Sequence, residues 1–390
     1  MQRLAYALLA LIVFSYIFSW WSIRKVKGEV HILTSSPQVG HYIEERVEAR
    51  NTDWLPKLLL EIHHKTALPG HHNRRLINLL PRQSFSWTYR SLCQRRGLYS
   101  IGDLELTGGD PLGLFTRKLE AEGSQKVLVY PATFDLPDFM LPWGKEAGDG
   151  YEKRRFQFTN QAVSGIREYA VGDSFSRIHW PSSARLGKFM SKVFDKEPSG
   201  PTGDVWIVVD LNESSQAGSG TESTAEYGIT VAASLAKKYV DVNHQVGLIS
   251  WGGNAKVISP QRGPSHLNRL LEVLALADVK GEKPLPEAVK GVEGSLSPQP
   301  ILILITPARK SEIVEMVAAA TARKLNTVIV LLDGLSFGKG HGQRENLEWL
   351  TGKMIDTYVI SRGDQIEEAL DSKLRNWANR HRHVPSESPV

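Results

Sequence analysis

Cysteine is almost absent from this 390-residue chain: Cys93 stands alone, so an intramolecular disulfide framework and a cysteine-based zinc ligand set are both excluded. In strand-like surroundings Cys93 reads as a small buried hydrophobe, which fits a reducing compartment. Nucleotide and hydrolase motifs are lacking as well. There is no G-x-x-x-x-G-K-[ST], no G-x-G-x-x-G after a strand, no G-x-S-x-G and no H-E-x-x-H, so any ATP hydrolysis must come from a partner. Charge of one sign is not massed anywhere. Forty-seven Lys and Arg against 42 Asp and Glu leave a net +5, scattered and partly beside the first apolar run, which does not call for nucleic acid.

What is present is ordinary globular composition, 41% apolar and 23% charged, over a length that suggests two or three domains. Leu4 to Ile23 holds no charged residue, and twenty residues at about 1.5 Å each match the roughly 30 Å of a bilayer core. The stretch reads as one transmembrane helix, with residues 1–27 as a membrane anchor. Trp20 and Trp21 sit where an aromatic belt is expected. Arg24, Lys25 and Lys27 follow the span against Arg3 before it, so the soluble part is expected in the cytoplasm, on a single-pass cell-membrane protein. A cleaved signal peptide fits less well, because the n-region is weak and Tyr16 to Trp21 offers no small-residue cleavage site.

Residues 28–131 show short segments of strand chemistry at Val30–Leu33, Tyr42–Ala49, Lys57–Ile62, Phe85–Leu92, Gly97–Leu106 and Lys126–Tyr130. Six strands in about 100 residues predict a small all-β sandwich of immunoglobulin-like type. His63-His64 and His71-His72 suggest a metal only superficially, since neighbours on a strand point to opposite faces and no further ligand joins them. Residues 132–202 read as a Pro- and Gly-rich linker followed by a dense, ordered motif. Lys188, Lys192 and Lys196 recur every fourth residue there and are expected on one solvated face.

Residues 203–378 alternate apolar runs with helical periodicity. Val205–Val209, Gln245–Trp251, Ala255–Ser259, Ile301–Ile305, Thr327–Leu332 and Thr357–Ile360 are the expected strands; the helices fall around Ala225–Tyr239, Leu267–Leu274, Ser311–Arg323 and Gln365–Trp377. That order predicts a doubly wound α/β sheet, and the single hairpin across Gly252-Gly253-Asn254 resembles the von Willebrand A arrangement. The metal site of that fold begins D-x-S-x-S. Here the residues are Asp210, Asn212 and Ser214, and the fourth strand ends at Pro307 where an acidic ligand is usual, so no bound metal is expected. Residues 379–390 are polar and expected to be disordered.

The motif in the middle runs Gly165 to Arg185. Gly172-Asp173 reads as a turn and N-cap, opening a short helix at Ser174 that stops at Pro181, with Phe175, Ile178 and Trp180 inward. Arg167, Arg177 and Arg185 beside Glu168 and Asp173 leave three readings open: an internal ion-pair clamp, an anion or peptide site built on arginine forks, or a catalytic centre around Arg167, Asp173, Arg177 and His179. Arg167, Glu168, Tyr169, Gly172, Asp173, Arg177, Trp180, Ser183 and Arg185 are the candidate binding residues.

Arg167-Glu168-Tyr169, Gly172-Asp173, Arg177-Ile178, Trp180 and Ser183-Ala184-Arg185 resemble the signature R-E-Y-x-x-G-D-x-x-R-x-I-x-W-x-x-S-A-R of the bacterial domain-of-unknown-function family fifty-eight. His179 and Pro181 depart from the acidic and basic residues common there. The resemblance implies a membrane-anchored protein with a von Willebrand A-like domain that works beside a MoxR-type AAA+ ATPase. The expected function is therefore a non-enzymatic scaffold or adaptor engaging that ATPase through the signature and the A-like domain. The alternatives are an exported metal-dependent adhesion protein and an uncharacterised enzyme centred on the signature.

Overall fold

The computed structural model describes residues 2–66, 68, 73–121, 123–139, 141, 163–169, 178–194, 203–292 and 300–371. Gln2–Ser22 forms one helix (α1), long and apolar enough to cross a membrane. Eight strands follow: β1 (Val26–Ile32), β2 (Tyr42–Asn51), β3 (Lys57–Thr66), β4 (Asn73–Leu79), β5 (Ser84–Leu92), β6 (Gly97–Gly109), β7 (Thr116–Ala121) and β8 (Gln125–Val129). They make two antiparallel sheets, β1-β2-β5 and β4-β3-β6-β7, with β8 also paired to β6. Alternate residues of β2 turn inward, and Val47 and Ala49 meet Leu60, Ile62, Leu104 and Leu106 from the other sheet. This is the sandwich that the alternation predicts. β4 and β7 are additions to the six expected strands: β7 has no apolar run, and β4 carries only the short Leu76-Ile77-Asn78-Leu79 behind Arg74 and Arg75. On β7 the charged Lys118 and Glu120 pair with Glu105 and Lys65, as suits a strand at a sheet edge.

A two-stranded unit comes next: β9 (Val163–Glu168), α2 (Trp180–Leu186) and β10 (Met190–Phe194), with β9 and β10 antiparallel. Then β11 (Asp204–Asp210), the short hairpin β12 (Gly218–Ser219) and β13 (Glu222–Ser223), α3 (Thr224–Asp241), β14 (Gln245–Trp251), β15 (Lys256–Gln261), α4 (Pro264–Ala275), β16 (Ile301–Thr306), α5 (Lys310–Ala322), β17 (Asn326–Leu332), α6 (Arg344–Gly352), β18 (Asp356–Ile360) and α7 (Ile366–Asp371) complete the chain. The sheet order is β15-β14-β11-β16-β17-β18. Five strands are parallel and β15 is an antiparallel edge, the doubly wound α/β order that the sequence predicts. α6 was not expected, since its apolar positions are few among charged ones.

Every residue of β11 is buried. Val205, Ile207 and Val209 face α3, α4 and α7; Trp206 and Val208 face α5 and α6. Gly247 of β14 lies flat against Trp206, where a Cβ would come within 2.7 Å of the indole ring. The expected linker is in part a core element. Leu136, Phe139 and Leu141 are buried in the α3-side cluster, the Phe139 ring lies 4.8 Å from that of Tyr358, and Phe134 N–H donates to Ser234 Oγ at 3.0 Å. Lys238 donates to the carbonyls of Leu136, Pro137 and Phe139. A Pro-rich strap with no periodicity of its own gives no such signal in the sequence.

Arg96, between β5 and β6, ties the sandwich to the α/β layer. Its guanidinium donates to the carbonyls of Leu274 (3.0 Å) and Ala277 (2.8 Å) at the end of α4 and pairs with Glu226 on α3, and it is 8% exposed. Arg96→Lys keeps the charge but loses the fork. Because a hydrogen bond to a charged group contributes about 1.5–3 kcal/mol, the variant is expected to lower the melting temperature and speed amide exchange at the end of α4 and along β8. Unchanged exchange in both would show that Arg96 is not the tie.

Candidate functional site

The signature residues divide into a scaffold and a surface. Tyr169 N–H donates to Phe189 O at 2.8 Å, and His179 N–H to Met190 O at 2.7 Å, extending the β9–β10 pairing to both sides. Ile178 is buried and bridges Ser191. Residues 174–177 lie outside the described residues, but the end of the helix expected from Ser174 to Pro181 is corrected: Ile178 forms a β-bridge to Ser191, and α2 begins only at Trp180. Pro181 in the first helical turn explains this, because proline fits where the N–H has no partner and terminates a helix entering it. His179 is the N-cap, its Nδ1 accepting from Ser182 N–H. Ser183 Oγ donates to His179 O (3.0 Å) and accepts from Met190 N–H (2.8 Å). Gly187 closes the helix at φ 67°, a conformation that favours glycine.

The surface is aromatic. Trp180, expected inward, is 62% exposed; Phe189 beside it and Leu186 at the end of α2 are exposed too. Phe189 stands edge-on to Trp180 at 6.3 Å and to Tyr169 at 6.4 Å. Arg185 is exposed on the last turn of α2, so it does not form the buried clamp that one reading gave it. Glu168 and Lys188, both exposed, pair at 3.4 Å. Lys192 lies in β10 rather than on a helical face with Lys188. Gly172, Asp173, Arg177 and Lys196 lie outside the described residues, as does the side chain of Arg167. Phe189 was missed; its only signal in the sequence is an aromatic residue just before a strand.

The second candidate is the switch point of the large sheet, where the chain leaves β11 and β16 in opposite directions and open α/β sheets usually bind ligands. Asp210 ends β11 there, 1% exposed. One carboxylate oxygen accepts from Thr306 Oγ1 at 2.7 Å and the other from Asn212 N–H at 3.0 Å. Asn212 is spent on the loop over the sheet: its Nδ2 donates to Lys283 O (3.0 Å) and its Oδ1 accepts from Lys283 N–H (2.9 Å). Ser214 is exposed on a short 3-10 turn, and Pro307 offers no side-chain oxygen. A hard cation needs several free oxygens. These residues do not fit one, and no chemistry is assigned to a metal here. Among the described residues no other group of carboxylates, histidines or cysteine gathers for a metal. His64 is buried against Glu45 with Nδ1 at 3.3 Å from the carboxylate, and burial pushes that carboxyl up to about 7; His71 and His72 lie outside the described residues.

Burial raises the Asp210 carboxyl to about 6, with the Thr306 and Asn212 hydrogen bonds opposing. The folded protein therefore holds this proton more tightly than the unfolded chain, and the resulting stability is present below the usual 3.8 and lost as pH rises through about 6. By chemical denaturation, the stability advantage of wild type over Asp210→Asn should shrink by up to about 3 kcal/mol between about pH 4 and 7; a constant difference would refute the assignment. Titration calorimetry with Mg²⁺ or Mn²⁺ should give no saturable heat, whereas a stoichiometric site lost in Asp210→Ala would restore the adhesion reading.

Residues 165–334 match the family model described as "Protein of unknown function DUF58". An "Uncharacterized protein YeaD" of Bacillus subtilis (strain 168) is 22% identical over 291 residues, 72% of this chain and 70% of that protein. Among solved structures, an aerotolerance-related membrane protein from Bacteroides fragilis covers 43% of this chain and 94% of its own, at 16% identity and a TM-score of 0.28. The CARDB domain of PF1109 from Pyrococcus furiosus covers 27% of this chain and 94% of its own, at 14% identity and a TM-score of 0.22. At such scores neither overlap carries an argument about fold or activity. The family match spans the signature, β11 and the strands through β17.

Proposed function

We propose that the protein is a membrane-anchored adaptor whose signature hairpin receives a protein partner, and that the partner is a MoxR-type AAA+ ATPase. The observation that carries this reading is the exposed aromatic pair Trp180 and Phe189, with the half-buried Tyr169 ring against Phe189 and Leu186 exposed on the same short helix as Trp180. It rests on a backbone already satisfied through Ser183 and His179. Large aromatic side chains on a rigid base are the usual energetic centres of protein interfaces. The ATPase follows from the family resemblance, as does a von Willebrand A-like character for residues 203–378 behind an immunoglobulin-like sandwich. The apolar helix is read as the anchor, and Arg24, Lys25 and Lys27 against Arg3 favour a cytoplasmic soluble part. An adaptor needs no catalytic centre of its own. The metal-dependent alternative is disfavoured by Asn212, whose amide is occupied by Lys283.

The test pairs surface and scaffold variants of the full chain with a purified MoxR-type ATPase from the same genome. Trp180→Ala and Phe189→Ala should leave stability within about 0.5 kcal/mol, as exposed substitutions usually do, and should abolish binding. Ser183→Ala leaves Met190 N–H without its acceptor and should cost about 1–3 kcal/mol. Wild-type protein that fails to bind the ATPase, or aromatic variants that bind it undiminished, would refute the adaptor reading as stated.

A further inference from the structure

The last two turns of α1 are docked on the sandwich, although the helix is apolar throughout. Ser15, Ser19 and Ser22 are its buried residues, and Ser15 Oγ donates to the carboxylate of Asp110 at the end of β6. Ser22 lies against Gly108, where a Cβ would fall 2.5 Å from the serine oxygen. Tyr16 meets Phe115 edge-on at 5.6 Å with Arg117 over its other neighbourhood, 5.2 Å from the ring centre. Below, buried Lys57 donates to Trp21 O at 2.7 Å and lies 4.0 Å from the centre of the Trp21 ring. Trp21 is therefore engaged with the sandwich rather than free for an interfacial belt.

These contacts also give a direction. From Gly108 beside Ser22 to Asp110 beside Ser15, the β6–β7 hairpin runs along the helix toward its N-terminal end, and its tip, Pro111 to Leu114, lies beyond Asp110. That tip is held tightly: the Asp110 carboxylate accepts from the N–H groups of Leu112 (3.0 Å) and Phe115 (2.7 Å). Yet Leu112 and Leu114 are each 53% exposed, beside a helix whose residues 2–14 are exposed on all sides. With Arg3 at the far headgroups, the free apolar stretch Leu4 to Phe14 covers only about 16 Å. A bilayer core is about 30 Å. The remaining apolar length lies alongside the hairpin.

We infer that the Pro111–Phe115 turn enters the membrane beside the helix, burying Leu112 and Leu114 in lipid hydrocarbon. The inference rests on the anchor reading of α1. It makes the attachment two-point: a helix and a rigid hairpin tip, fixed to each other by Ser15 and Asp110, set the tilt of the sandwich on the bilayer.

Full-length protein with Cys93→Ser and single cysteines from Leu112→Cys, Leu114→Cys, Phe14→Cys or Leu335→Cys is labelled with an environment-sensitive fluorophore. It is then reconstituted in phosphatidylcholine–phosphatidylglycerol vesicles, with or without lipids bearing a nitroxide high on the acyl chain. Blue-shifted emission and quenching are expected at 112 and 114 as well as at 14, but not at 335 on the α/β layer. Quenching at 14 with aqueous emission at 112 and 114 overturns the insertion and leaves the anchor standing. Aqueous emission at 14 as well overturns both, and quenching at 335 overturns a contact specific to the turn. The two leucine positions report independently, so misfolding of one variant leaves the other to decide.

Discussion

The parallel pairing of β11 with β14 on one side and β16 on the other is the constraint on which the rest of the α/β layer depends. A strand in that position exposes no edge, and with Val205, Trp206, Ile207, Val208 and Val209 buried it exposes no face. Each such side chain contributes about 1.5–3 kcal/mol when fully covered, so both faces of the sheet must be roofed. Helices supply most of the cover. Where they leave a gap, beside Tyr239 and Tyr358, the strap bearing Leu136 and Phe139 fills it. That strap is also the chain leading away from the sandwich, so the covering of the sheet and the attachment of the two layers are one piece of packing, reinforced by Arg96.

The same topology delivers Asp210 to the switch point. Its carboxylate faces protein groups on both oxygens, and the loop through Lys283 is drawn over it by Asn212. Two uses of such a position compete: oxygens left free toward the crevice can hold a ligand, while oxygens satisfied internally hold the loops. Here the internal use prevails at Asp210 and Asn212. The crest of the sheet thereby becomes a fixed surface with a carboxyl raised by burial, not an open coordination site.

What was legible in the sequence follows from the same physics. Val205–Val209 and Ile301–Ile305 are unbroken apolar runs, which only doubly covered strands need, and the helical period of Ala225 to Tyr239 is equally plain. β7 and α6 escaped because edge and surface elements are stabilised by neighbours rather than by their own pattern. The strap escaped because it has no period at all. In the signature, residue types were legible but their direction was not. By residue type alone Trp180 reads as a core residue; Pro181 fixes the helix start, and with it the face on which the indole stands, while Arg185, a clamp on charge alone, lies on the exposed last turn.

That hairpin separates rigidity from exposure. Its geometry is held by short polar groups, Ser183 and His179, and by a glycine cap at Gly187, so it does not require its aromatic residues to be buried. An indole left 62% exposed forgoes most of the stabilisation that burial would give it, and the neighbouring ring of Phe189 returns only part of that. The fold does not need Trp180 where it stands. A partner that covered it would recover the forgone burial without paying to order the backbone beneath, because that ordering is already complete in the free protein. The turn at Leu112 and Leu114 has the same construction, apolar side chains carried on a hydrogen-bonded base around Asp110. Preorganised polar scaffolding thus allows one chain to present two exposed apolar surfaces, at Trp180 and at Leu112 and Leu114, without weakening either layer.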